Sequence, residues 1–220
     1  MDHPILTRIR REGFAVLGWF APRADDKVPG GTAFMMLIGN AGPDMFRRFA
    51  RERDPHRDLM DDWTRDTVDV LARDLLARAL YPSDTPPLPF FTWARRAGAG
   101  HVSPLGLNIH PDYGLWHAYR AALLFPVAFD LPAHRSGPHP CETCTDKPCL
   151  SVCPVRAFNG KSYDVTACGR HVLSPAGEDC LTMGCHARRA CPIGTSFAYA
   201  PAQMQFHMRA FAEARKKDRQ

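Results

Sequence analysis

All eight cysteines of this 220-residue chain lie between Cys141 and Cys191, so the side chains best suited to chemistry are thiols gathered in one stretch. The first four read Cys141-x2-Cys144-x4-Cys149-x3-Cys153-Pro154, and the second four read Cys168-x11-Cys180-x4-Cys185-x5-Cys191-Pro192. Each run ends in Cys-Pro. A cubane iron–sulfur cluster needs four thiolates arriving from different directions. A short looping run supplies three, and the fourth must come from chain that returns from elsewhere. Two other readings compete. Four disulfides fit the even count, but they belong to oxidising compartments, and the opening Met1-Asp2-His3-Pro4 lacks the apolar segment of a secretory signal. Structural zinc prefers paired Cys-x2-4-Cys knuckles, and neither Cys149-x3-Cys153-Pro154 nor Cys180-x4-Cys185-x5-Cys191-Pro192 looks like one. Clusters suit the spacing best, and a reducing, cytoplasmic setting is expected.

The pattern resembles the Cys-x2-Cys-x2-Cys-x3-Cys-Pro run of bacterial two-cluster ferredoxins, where the Cys before proline ligates the other cluster. Here the first run is two residues longer ahead of Cys149, around Asp146 and Lys147, and the second is stretched, with Cys168 well upstream. The resemblance implies one [4Fe–4S] cluster on Cys141, Cys144, Cys149 and Cys191. It implies a second on Cys153, Cys168, Cys180 and Cys185. Cys153 and Cys191 would then tie the two runs together and hold the clusters close enough to pass an electron. His139, His171 and His186 lie near cysteines and are expected to donate hydrogen bonds or sit in exposed linkers rather than bind iron.

The elements that must position these thiols come from an ordinary globular composition, 45% hydrophobic and 23% charged. No apolar run approaches the roughly 18 residues a membrane span requires. The net charge of +5 is uneven: residues 1–137 carry 17 basic and 16 acidic side chains, residues 138–197 carry 6 and 5, and residues 198–220 carry 5 and 2. A basic excess confined to a tail suits a solvated helix end better than a nucleic-acid surface. Three segments are expected: a domain over 1–137, a cysteine module over 138–197, and a C-terminal helix with a basic tail over 198–220.

Ile5 to Glu12 reads as a helix, Phe14 to Phe20 as a buried strand, and Ala33 to Ile38 as a second strand stopped by Gly39 and Asn40. Pro43 and Asp44 favour a helix to Glu52. Val68, Leu71, Leu75 and Ala79 recur at helical steps and predict one long helix from Asp58 to Leu80. Phe90 to Trp93 reads as a short strand, and Ala121 to Pro126 as an apolar one.

The stretch Ile109-His110-Pro111-x-Tyr113-Gly114-x-Trp116-x3-Arg120, followed by Leu123-Leu124-Phe125-Pro126 and Asp130-Leu131-Pro132, resembles the CblC family of cobalamin-processing reductases. The likeness spans about residues 10–135. It implies an α+β fold, a flavin-reductase or nitroreductase-like domain with an antiparallel sheet and helices, followed here by a small ferredoxin-like module. It also implies a cavity for a corrinoid, with flavin allowed in the same place. A corrinoid-holding reductase followed by two clusters is similar as well to epoxyqueuosine reductases and reductive dehalogenases, in which clusters feed electrons to cobalamin.

The residues these resemblances nominate also have plainer uses. His110 and Arg120 are the candidate catalytic residues, and Tyr113, Gly114, Trp116 and Arg120 the candidate cofactor contacts. His110 ahead of Pro111 can simply fix a turn. Tyr113 and Trp116 can be core. Arg120, flanked by apolar residues, needs an anion, either a protein carboxylate or a ligand group. The function expected is delivery of electrons through two clusters to a corrinoid, for cobalamin reduction or removal of its upper ligand. The alternatives are a cobalamin-dependent substrate reductase related to epoxyqueuosine reductase and a ferredoxin-type electron carrier. The partners expected are an external electron donor (flavodoxin, ferredoxin or reductase), a corrinoid and a second copy of the chain, with no nucleic acid and no membrane.

Overall fold

In a computed structural model of the chain, the described residues are 3–54, 59–132 and 137–218. In chain order they form α1 (Pro4–Arg11), β1 (Ala15–Phe20), β2 (Phe34–Ala41), α2 (Asp44–Glu52), α3 (Met60–Asp74), β3 (Arg78–Leu80) and α4 (Phe90–Arg96). There follow β4 (His101–Val102), β5 (Asn108–Ile109), β6 (His117–Phe125), α5 (Val165–Val172), α6 (Glu178–Met183), α7 (His186–Arg189) and α8 (Pro201–Lys217). The architecture is mixed α+β. Two compact units divide the chain, Met1–His101 with His117–Gly137 and Val102–Trp116 with Pro138–Gln220. Residues 102–116, which the sequence reading grouped with 1–137, thus fall with the cysteines, as does α8.

The first unit is built on a four-stranded antiparallel sheet of order β1-β2-β6-β3. Its two middle strands are its most apolar. Phe34 to Ile38 of β2 and Ala121 to Phe125 of β6 are all buried, which is why their sequences run apolar without alternation. The helices contribute faces of matching period: Ile5 and Ile9 in α1, Met45 and Phe49 in α2, and Val68 and Leu71 in α3 are buried.

Three local expectations are corrected. β2 does not stop at Gly39 but continues to Ala41. A Cβ at Gly39 would lie 1.9 Å from the Ala118 carbonyl oxygen, so glycine is there for close approach to β6, not for a turn. The helix expected from Asp58 to Leu80 ends at Asp74. Leu76 takes a left-handed φ of 53°, and Arg78–Leu80 turns back to pair with β6. Its expected start, Asp58, lies outside the described residues. Phe90 to Trp93 is helical, because Phe90, Trp93 and Ala94 are the buried positions and that is a helical interval too short to show in a four-residue window.

A buried carboxylate ties this unit's loops. Asp26 accepts from Arg96 Nε at 2.8 Å and from the Arg23 N–H at 2.8 Å, while its backbone carbonyl accepts from Trp93 Nε1 at 2.8 Å. Burial works against the charge, but Arg96 and the Arg23 N–H outweigh it and hold Asp26 below the usual carboxylate range.

The second unit has short helices and long connections. Its core is Leu105, Ile109, Leu115, Ala157, Phe158, Ala187 and Cys191, with Cys141, Cys149, Cys153, Cys168 and Cys185 packed against it. A smaller cluster joins Val172, Cys180 and Ala212. Among the described residues, no helix is long and apolar enough to cross a membrane.

Candidate functional site

The eight cysteines sit on different kinds of backbone. Cys149 lies in a single 3-10 turn, Cys168 on α5, Cys180 in α6, and Cys185 at the N-cap of α7, with Cys191 just past that helix. None is in a disulfide. Their strongest influences on one another fall into two sets of four. Burial pushes the Cys141 thiol up to about 11, and the neighbouring thiols Cys191, Cys149 and Cys144 add to the rise. Cys149 is raised by burial and by Cys191 and Cys144, and Cys191 by burial and Cys144. In the other set, burial pushes Cys180 up to about 11, with Cys185 and Cys168 adding. Burial likewise raises Cys168, beside Cys185 and Cys153, and Cys185, beside Cys153. The sets are Cys141, Cys144, Cys149 and Cys191, and Cys153, Cys168, Cys180 and Cys185. Each Cys-Pro cysteine therefore sits with the other run.

This donor chemistry fits a cluster. Four soft thiols from separated backbone can each bind a different iron of a cubane. Among the described residues no three His, Cys, Asp or Glu side chains converge as one metal ion would require. Ligation needs the thiolate, so metal uptake would release thiol protons, which couples binding to pH.

The sets differ in their surroundings. In the second, Cys153 Sγ accepts from the Ala157 N–H at 3.4 Å. Cys168 accepts from the Tyr163 hydroxyl, Cys180 from the His186 N–H, and Cys185 from the N–H groups of Ala187 and Arg188. In the first, Cys191 accepts from the Ile193 N–H, and the nearby cation is the exposed Lys147. Of the histidines, His139 accepts from the Cys141 N–H at 3.2 Å through Nδ1, and His186 Nε2 pairs with Asp179 at 2.5 Å.

The run from His110 to Arg120 is shared between the units. His110 is buried, and its Nδ1 accepts from the N–H groups of Asp112 at 3.0 Å and Tyr113 at 3.4 Å. That is the turn-fixing role weighed from sequence. Tyr113 meets Phe197 edge-on at 4.7 Å, and Trp116 meets Tyr199 at 5.4 Å. Gly114 has φ 56°, and a Cβ there would lie 1.9 Å from the Ile193 carbonyl oxygen, beside the second Cys-Pro. Tyr113, Gly114 and Trp116 therefore pack inside the cysteine-bearing unit.

Arg120 belongs to the first unit. Its Nη1 lies 3.2 Å from Asp61 Oδ1 and its Nε 3.4 Å from Asn40 Oδ1. It lines a cavity of about 200 Å³ with Asp61, Thr64, Tyr81 and Tyr119. That is below the roughly 300–1,000 Å³ of sites for whole small molecules, and is room for one polar arm. The sequence reading missed Asp61 and also Arg188, three residues after Cys185.

No family model matches the chain. It is 34% identical over 119 residues to the epoxyqueuosine reductase of Synechocystis sp., a match covering 50% of this chain and 37% of that protein. It is 33% identical over 111 residues to the epoxyqueuosine reductase of Gloeobacter violaceus, covering 50% and 33%. The chain thus matches about a third of the length of these relatives. Among solved structures, the B12-trafficking protein CblC of C. elegans superposes with a TM-score of 0.54 at 16% identity, over 96% of this chain and 93% of that one. Half of the chain is therefore related in sequence to epoxyqueuosine reductases, and its α+β fold with an antiparallel sheet is like that of CblC.

Proposed function

We propose that the chain is an iron–sulfur reductase related to epoxyqueuosine reductase, passing electrons through two [4Fe–4S] clusters to a corrinoid that reduces a substrate. The observation that carries this reading is the sorting of eight thiols into two sets of four, each completed by the other run's Cys-Pro cysteine. Two clusters store one electron each, the pair that a two-electron reduction consumes. A corrinoid supplies a redox-active cobalt when bound. Its amide arms carry both acceptors and donors, and Arg120 beside Asp61 offers the complementary pair.

Sequence alone favoured cobalamin processing as the main reading. The related half of the chain shifts the weight to a reductase acting on a substrate, since the relatives it aligns with are named as reductases of epoxyqueuosine. The CblC likeness supports the fold and leaves chemistry to the site.

The test is anaerobic purification with iron and sulfide analysis, then titration with cob(II)alamin followed by absorbance and electron paramagnetic resonance. About eight irons per chain and a cobalt signal shifted to a base-off form are the expected result. Eight irons with an unchanged cobalt signal would leave a two-cluster electron carrier. Absence of iron and sulfide from protein kept anaerobic throughout would overturn the reading.

A further inference from the structure

Two arginines follow Cys185 on α7, and they are treated differently. Arg189 is neutralised by Asp179. Arg188 is not. Its Nε donates to the Leu115 carbonyl at 2.9 Å, and Nη2 donates to the same oxygen. The guanidinium carbon lies 5.1 Å from the centre of the Trp116 ring and 4.5 Å from that of Tyr199. Among the described residues its partners are a carbonyl and two aromatic faces, so its positive charge is held in place without a carboxylate to cancel it. The backbone N–H of the same residue donates to the Cys185 sulfur, and the side-chain charge reaches that sulfur as well.

Building so fixed a clamp for one cation beside a thiol needs a reason. Reduction of a four-thiolate cubane adds one electron to an already anionic group and takes up no proton. A nearby fixed positive charge favours the reduced state, as do N–H donors on the sulfurs. Arginine keeps its charge over the whole working pH range, so the effect does not depend on titration. The cation beside Cys141 and Cys149 of the first thiol set, Lys147, is exposed, where solvent and salt screen it.

We propose that Arg188 sets the reduction potential of the cluster on Cys153, Cys168, Cys180 and Cys185, raising it above that of the cluster on Cys141, Cys144, Cys149 and Cys191. Electrons then rest on the second cluster, and the first is the stronger reductant. This rests on the two-cluster reading.

Anaerobic redox titration followed by electron paramagnetic resonance, with iron analysis in parallel, separates the two claims. Arg188→Gln keeps hydrogen-bonding atoms and removes the charge; Arg188→Lys keeps the charge and loses the fork. In Arg188→Gln we expect the iron of the parent protein and one signal moved to lower potential. The expected shift is about tenfold in the reduction equilibrium, ~59 mV for one electron. It should be the signal that Cys185→Ser removes, and Arg188→Lys should recover at least half of the shift. Full iron with both potentials unmoved in Arg188→Gln would overturn the proposal. So would equal shifts in both variants, or iron lost from both, since either result assigns Arg188 to structure alone. A parent protein without iron fails the cluster reading itself, and the proposal with it.

Discussion

The two units solve the problem of holding a fold together by different means. In the first, a sheet whose two middle strands carry continuous buried apolar runs is covered by helices, and its largest buried side chains are Trp93, Phe14, Phe49 and Phe125. In the second, five of the side chains packed against the main core are cysteines, and the core residues proper are few. Apolar burial at about 25 cal/mol per Å² can stabilise the first unit unaided. The second resembles small metal-dependent modules, whose binding free energy is their folding free energy. One unit is a scaffold in its own right, while on the two-cluster reading the other would be completed by what its thiols hold.

The most damaging way to probe that contrast is Cys185→Ser. About four of eight irons should be lost, and calorimetry of the anaerobic protein should show the second unit's transition falling sharply while the first unit's stays in place. A single transition that moves as a whole would break the contrast. Gly114→Ala comes next. It combines a left-handed φ with a Cβ placed 1.9 Å from the Ile193 carbonyl oxygen, so it should cost the second unit about 3 kcal/mol or more and weaken iron retention.

Asp26→Asn addresses the other side of the comparison. It should cost the first unit about 1–3 kcal/mol at neutral pH, leaving iron content unchanged. Because the folded Asp26 is held below the ordinary carboxylate range, its contribution is complete above the unfolded value of about 3.9. It is lost as pH falls through the lower folded value, and the asparagine variant should lack that part of the acid dependence in a denaturant series. The smallest effect belongs to Tyr163→Phe, which removes the hydroxyl donated to Cys168. Iron should be retained, and the potential of the second cluster should fall by less than in Arg188→Gln. A larger fall would make the hydroxyl, not the guanidinium, the stronger influence.

The cysteine pattern was legible because spacing is a local property of the chain, and the proposed crossing of Cys153 and Cys191 is what its resemblance to a known arrangement implies. The apolar strands β1, β2 and β6 were legible for the same reason. Phe90 to Trp93 was not, since four residues satisfy strand and helix alike until Ala94 is seen to be buried with them. Nor could the run from His110 to Arg120 show that its first part packs with the cysteines while Arg120 pairs with Asp61. Contiguity in sequence carries no information about which core each side chain joins. Arg188 was hidden because a lone arginine near a cysteine has no distinctive pattern; its meaning lies in the two rings and the carbonyl that hold it.

On the two-cluster reading, the exchanged Cys-Pro ligands would also impose an order on biosynthesis. A ribosome makes Cys141, Cys144 and Cys149 first, yet their set stays one thiol short until Cys191 emerges. The set that begins at Cys153 is complete sooner, at Cys185. At roughly 5–20 residues per second, the earlier three thiols wait for seconds beside an unfinished partner, open to stray metal or oxidation. Filling of the set begun first would therefore wait for Cys191, and the set begun second is the first that could be filled.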